Sequence, residues 1–207
     1  FWGAGLTSLL SGARLEPGGE GGPVGGGWWW HTPEDTRDKV DLDVLAEETR
    51  IAVTIASRIC DSPALPHDFR AAAADVREQI AAVEDETGRE FDGVHDDLDA
   101  LAVALDEAYG VIDGIHEIGS ETGAAAEDLQ VTLGNELIPA LYTSVRDYAQ
   151  EPALPHEPLP ELRRAAGTEG TARTERFAET TLTREVTRLQ HRLRNATEAA
   201  ESFAAER

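Results

Sequence analysis

Apolar residues recur along this chain at alternating steps of three and four, the spacing that gathers them on one side of an α-helix. Leu42, Leu45, Ala52, Ile55, Ala56 and Ile59 form the first such stripe, ending at Cys60. Thr32 and Pro33, followed by Glu34 and Asp35, read as its start. Threonine accepts from free N–H groups, proline suits the first helical position, and acids favour the positive end of the dipole. Pro63 and Pro66 end that helix. Phe69, Ala73, Val76, Ile80 and Val83 make a heptad stripe, which resumes beyond Gly88 as Phe91, Val94, Leu98, Leu101, Leu105, Ala108, Ile112 and Ile115. The pattern predicts one long helix with a local defect at Thr87–Gly88. After a break at Gly119, Ser120 and Gly123, Leu129, Leu133, Leu137, Leu141, Val145 and Tyr148 share another face. Pro139 lies inside it and is expected to kink the helix or leave a carbonyl unpaired. A proline-rich connector runs from Pro152 to Pro160, and Leu182, Val186, Leu189, Leu193, Ala196, Ala200 and Phe203 complete the series. Strand-type alternation is absent. The expected fold is all-α, an elongated helical bundle with heptad seams and about four main helices.

Residues 1–31 differ from the rest. Ten of the 19 glycines lie there, with all four tryptophans, Trp2 and Trp28 to Trp30. Glycine-rich spacers stay flexible, and tryptophan favours boundaries that are wet on one edge and apolar on the other. The division predicted is a flexible arm over 1–31 and a helical bundle over 32–207. Within the bundle, Pro63-Ala64-Leu65-Pro66-His67 recurs as Pro152-Ala153-Leu154-Pro155-His156. That echo suggests two helix–proline loop–helix units, 32–118 and 124–207.

Charge changes the picture next. The chain has 207 residues and carries 18 Lys+Arg against 40 Asp+Glu, a formal charge of −22. Binding to a polyphosphate rests largely on cations that release its counterions, so nucleic acid is not an expected partner. Lys39 is the only lysine, a composition similar to that of proteins from salt-in halophiles. Molar salt screens the self-repulsion of so acidic a chain. Residues 161–207 hold nine arginines and eight glutamates, a net of +1, while the remainder holds 9 bases and 32 acids, a net of −23. Arg184, Arg188, Arg192 and Arg194 are therefore expected to pair with the acids beside the 91–115 stripe, within one chain or between chains. The chain contains no methionine and begins at Phe1, so residue 1 is read as something other than a translation start.

Candidate chemistry is sparse. Asp92-Gly93-Val94-His95 recurs as Asp113-Gly114-Ile115-His116. An acid three residues before a histidine shares its helix face, which makes His95, His116, Asp92 and Asp113 weak metal candidates. On one continuous helix the two copies stand ~31 Å apart, too far to share an ion. Cys60, the one cysteine, is expected to be a buried, inert thiol. Asp68-Phe69-Arg70 after a proline loop resembles PhoU-type helical repeats, but their acid-rich metal signature does not follow in register. No nucleophile elbow, phosphate loop or zinc motif is present. No catalytic residue and no cofactor are assigned.

These observations point to a non-enzymatic structural or interaction protein. It is expected to dock on a protein partner or on itself through heptad faces and the tryptophan-rich arm, with Trp2, Trp28, Trp29, Trp30, Leu189 and Leu193 as contact residues. A membrane surface is a further partner open to the arm, which points toward a membrane- or envelope-associated assembly. The alternatives are a helical sensor or receptor domain following a removed membrane segment, and a metal-binding helical regulator or enzyme.

Overall fold

A computed structural model describes residues 27–144 and 157–207. The described residues are helical apart from turns and connectors, in six α-helices: α1 (Leu42–Cys60), α2 (Phe69–Thr87), α3 (Asp92–Ile112), α4 (Glu121–Tyr142), α5 (Pro160–Ala166) and α6 (Ala172–Ala205). They divide into two compact units. The smaller runs up to Ser62 and contains α1; the larger begins at Pro63 and contains α2 to α6.

In the larger unit, α2 packs on α3 and α4, α6 packs on α3 and α4, and α5 lies against α6 and α2. Their stripes supply the core: Val76, Ile80 and Val83 from α2, Val94, Leu98, Leu101 and Leu105 from α3, Leu133 and Leu137 from α4, and Leu193 and Ala196 from α6. Burial of these side chains out of water provides the driving force. The apolar spacing read from the sequence marks the buried positions in these helices.

The stretch from Phe69 to Ile115 is two helices rather than one. Gly88 ends α2 in the left-handed conformation, φ 67°, and its N–H donates to the Glu84 carbonyl. Glycine adopts that conformation without the Cβ penalty other residues meet. Glu84 then secures the next helix by accepting from the Phe91 N–H at 2.8 Å.

Pro139 sits within α4. Proline has no N–H to give the carbonyl four residues earlier, that of Asn135. Arg192 of α6 fills the vacancy, its Nη1 donating to the Asn135 oxygen at 2.9 Å and lying 3.3 Å from Glu136 Oε2. The arginine is 8% exposed. A defect in one helix is thereby matched to a cation on another.

The helix of the smaller unit starts later than its sequence suggests. Residues 28–34 form turns, a short 3-10 segment covers Arg37–Lys39, and α1 begins at Leu42 with Asp41 as its cap. Asp41 Oδ1 accepts from the N–H groups of Asp43 and Val44 at 2.9 and 3.1 Å. Thr32 holds a turn instead, its hydroxyl donating to the Trp29 carbonyl at 2.6 Å and accepting from the Glu34 N–H at 3.1 Å.

Candidate docking surface

No residue of α1 is buried. At 100° per residue its apolar side chains, from Ile51 round through Leu45 to Ala46, occupy an arc of about 220°, interrupted only by Glu48 and Thr49. Asp43, Glu47, Arg50, Thr54, Ser57 and Arg58 hold the remainder. A surface helix of a globular protein presents an apolar stripe of roughly 100° toward its core. Here Leu42 is 71% exposed, Val53 58% and Leu45 48%. Cys60, expected inside, is exposed at the end of this helix.

The tryptophans extend the same apolar character. Trp28 meets Trp29 edge to face at 6.1 Å between centroids, and Trp30 stacks on His31 at 3.7 Å. Trp28 and Trp30 are exposed and Trp29 is half-buried. Trp2 lies outside the described residues. Leu189 and Leu193, the two contact residues named on α6, lie inside the larger unit at 3% and 0% exposure. Their heptad face packs within this chain.

The acid–histidine echo separates. Asp92 and His95 occupy the first turn of α3, but the helix ends at Ile112, so Asp113 is its C-cap and His116 lies exposed beyond it. His95 Nε2 is 3.0 Å from Glu84 Oε2. Burial raises the Glu84 carboxyl, and the hydrogen bonds from His95 and from the Phe91 N–H, with the charge of His95, outweigh it and hold the group below its ordinary value. Among the described residues, no three His, Cys, Asp or Glu side chains converge as a metal site.

Of the arginines expected to meet the α3 acids, Arg194 does so, its Nε 2.9 Å from Asp97 Oδ1. Arg192 pairs with Glu136 of α4, and Arg188 with Glu185 on its own helix. A shallow groove between α2 and α3, about 340 Å³, has a floor that includes Ala73, Ala102, Leu98 and Leu105. Arg70 and Arg77 at its rim are paired with Asp68 and Asp99.

Two polar residues unnoticed in the sequence organise the first proline loop. Tyr109 donates to the His67 carbonyl at 2.6 Å and accepts from the Phe69 N–H at 2.9 Å. Gln130 Nε2 donates to the carbonyls of Leu65 and His67 at 2.7 and 2.9 Å. The available signal was a tyrosine and a glutamine set in apolar stripes, since buried groups of this kind need partners.

No protein-family model, curated protein or solved structure matches this chain.

Proposed function

We propose that this chain is a non-enzymatic interaction protein whose docking element is α1 together with Trp28 to Trp30, the bundle of α2 to α6 serving as its folded body. The single observation that carries this reading is the exposed 220° apolar arc of α1. A helix apolar over most of its circumference gains stability when other elements cover it, and contiguous exposed apolar surface of this kind marks interaction sites. The heptad face of α6 is occupied within the chain, whereas the apolar arc of α1 is exposed. The acidic, lysine-poor composition fits work in concentrated salt, where apolar contacts persist and charge repulsion is screened.

Photo-crosslinking amino acids placed at Leu45 and Trp30 test the reading in the producing cell. Both positions are expected to yield protein adducts, and a probe at Thr54 on the polar arc far fewer. Probes at Leu45 and Trp30 that give no protein adduct would refute it. Replacing Trp28, Trp29 and Trp30 with serine is expected to weaken docking while helicity is retained.

A further inference from the structure

We infer that α1 docks as an inserted helix, seated in an apolar groove between two elements of another protein whose lips are acidic; this rests on the docking reading above. The width of the apolar arc sets the number of neighbours. One packed element covers a stripe of roughly 100° on a helix. The arc of α1 spans about 220°, so one neighbour leaves more than half of it in water. Val53 and Ile51, near its two edges, are 58% and 47% exposed and stand about 200° apart round the apolar side. Two neighbouring elements, one on each flank, cover both. Helix-in-groove recognition works in this way, with the anchors of an amphipathic helix laid into a hydrophobic groove.

The charges that border the arc choose the lips of that groove. Across the polar arc the order is Arg50, Asp43, Glu47, Arg58, at about 80°, 100°, 140° and 160° from Leu42. An arginine is thus the charge nearest the apolar arc on each side, and the two acids lie between them. Arg58 adjoins Ile51 at one edge; Arg50 follows Ala46 and Ser57 at the other. Both arginines are exposed, Arg50 with Glu47 at 3.4 Å. Arginine lays its aliphatic stem along apolar surface and keeps its charge at the border, where the planar fork matches a carboxylate. Carboxylates on both lips of the groove answer that arrangement. Glu48, half-buried, is the one charge inside the arc, so the floor is apolar except for a donor opposite it.

Two other occupants fit less well. A lipid surface is flat and meets at most half the circumference of a helix, and helices that lie on one carry lysine and arginine across the polar face. Asp43 and Glu47 hold the centre of this polar face, in a chain of net charge −22 that anionic lipid repels. A second α1 presents one helix, not two, and borders it with arginine rather than carboxylate.

Photo-crosslinking amino acids at Val53 and Ile51 of the full chain, in the producing cell, test the two flanks together. Both probes are expected to join the same protein, at two segments well separated in its sequence once the adducts are digested and mapped. Each joined segment is expected to carry Asp or Glu within a turn of the joined residue. Arg50→Glu and Arg58→Glu should each lower the adduct yield by ~2–5-fold, the worth of an exposed ion pair. Arg58→Lys should keep most of the yield, since the charge at that border is retained.

Adducts from one flank only, or from both flanks to a single segment, would overturn the inference. So would adducts on a second copy of this chain, or yields unchanged in both glutamate variants. Probes free of protein adducts, on a chain that floats with vesicles of equal parts phosphatidylcholine and phosphatidylglycerol in molar KCl, would overturn it in favour of a lipid surface. A protein adduct at Leu45 alongside a failure at the flanks keeps the docking reading; no adduct at Leu45 or Trp30 removes both.

Discussion

Arg192 and Pro139 make a quantitative test of how the bundle tolerates its own defect. Replacing Arg192 by leucine leaves the Asn135 carbonyl without the donor the structure shows, in a site where the arginine is 8% exposed. A buried unsatisfied carbonyl costs ~1–3 kcal/mol. The Glu136 carboxylate, 21% exposed, also loses a cation at 3.3 Å. Together the change should cost about 3 kcal/mol, or ~6–12 °C in Tm for a domain of this size. Pro139→Ala restores an N–H to the Asn135 carbonyl from within α4. In that background the carbonyl no longer depends on Arg192, and removing the arginine should cost ~1–2 kcal/mol less. The assay is urea unfolding followed by circular dichroism in molar KCl, with the four proteins compared as a cycle. Costs that add to within ~0.5 kcal/mol would show the two residues to be independent. The proline defect in α4 would then owe nothing to the cation on α6.

Three further outcomes rest on the contacts of the bundle and on its charge. The Glu84 carboxyl is held below its ordinary value, so its ionised form stabilises the α2–α3 corner above the ordinary glutamate range, and that stability is lost as pH falls through the lowered value. Glu84→Gln should therefore cost about 1 kcal/mol at neutral pH and close to nothing in strong acid; an equal cost at both, in pH-dependent melting, would contradict this. Burial pushes the Tyr109 hydroxyl up, with Phe69 and Gln130 opposing it, so the unfolded chain loses that proton first and stability drains away as pH climbs above ~10. Tyr109→Phe should cost ~2 kcal/mol at neutral pH by orphaning the Phe69 N–H, and should flatten the alkaline loss; a change in Tm under ~1 °C would refute the clamp. Transfer from molar KCl to dilute buffer should reduce helical ellipticity as the charge of −22 is unscreened, and an unchanged spectrum would contradict the halophilic reading.

Helical class and core positions were legible because burial repeats with the period of the helix. Val76, Ile80, Leu101, Leu133 and Leu193 could be named from spacing alone, and each is buried. Boundaries were less legible where two local signals competed. Thr32-Pro33 has the composition of a helix start, yet Asp41 caps α1. The Thr87–Gly88 irregularity fits either a stutter or a corner, and the choice rests on a contact seven residues apart, Glu84 to the Phe91 N–H. That boundary error carried the metal candidates with it, since His116 matches His95 only on a continuous helix. Pro139 announced an unpaired carbonyl, but which side chain would answer depended on how α6 packs. Cys60 and α1 show the opposite limit: an apolar stripe states that a face wants covering and is silent on what covers it.

Hydrogen exchange at the α1 amides reads the docked state of this helix itself. A helix of 19 residues with no covered face opens readily, whereas a docked one exchanges only as its interface opens. In the complex with the partner captured by the Leu45 and Trp30 probes, in molar KCl, the amides of Val44 to Ile59 should be protected on the scale of α3, and in the chain alone they should exchange freely. Exchange at unprotected rates in the captured complex would contradict docking through α1.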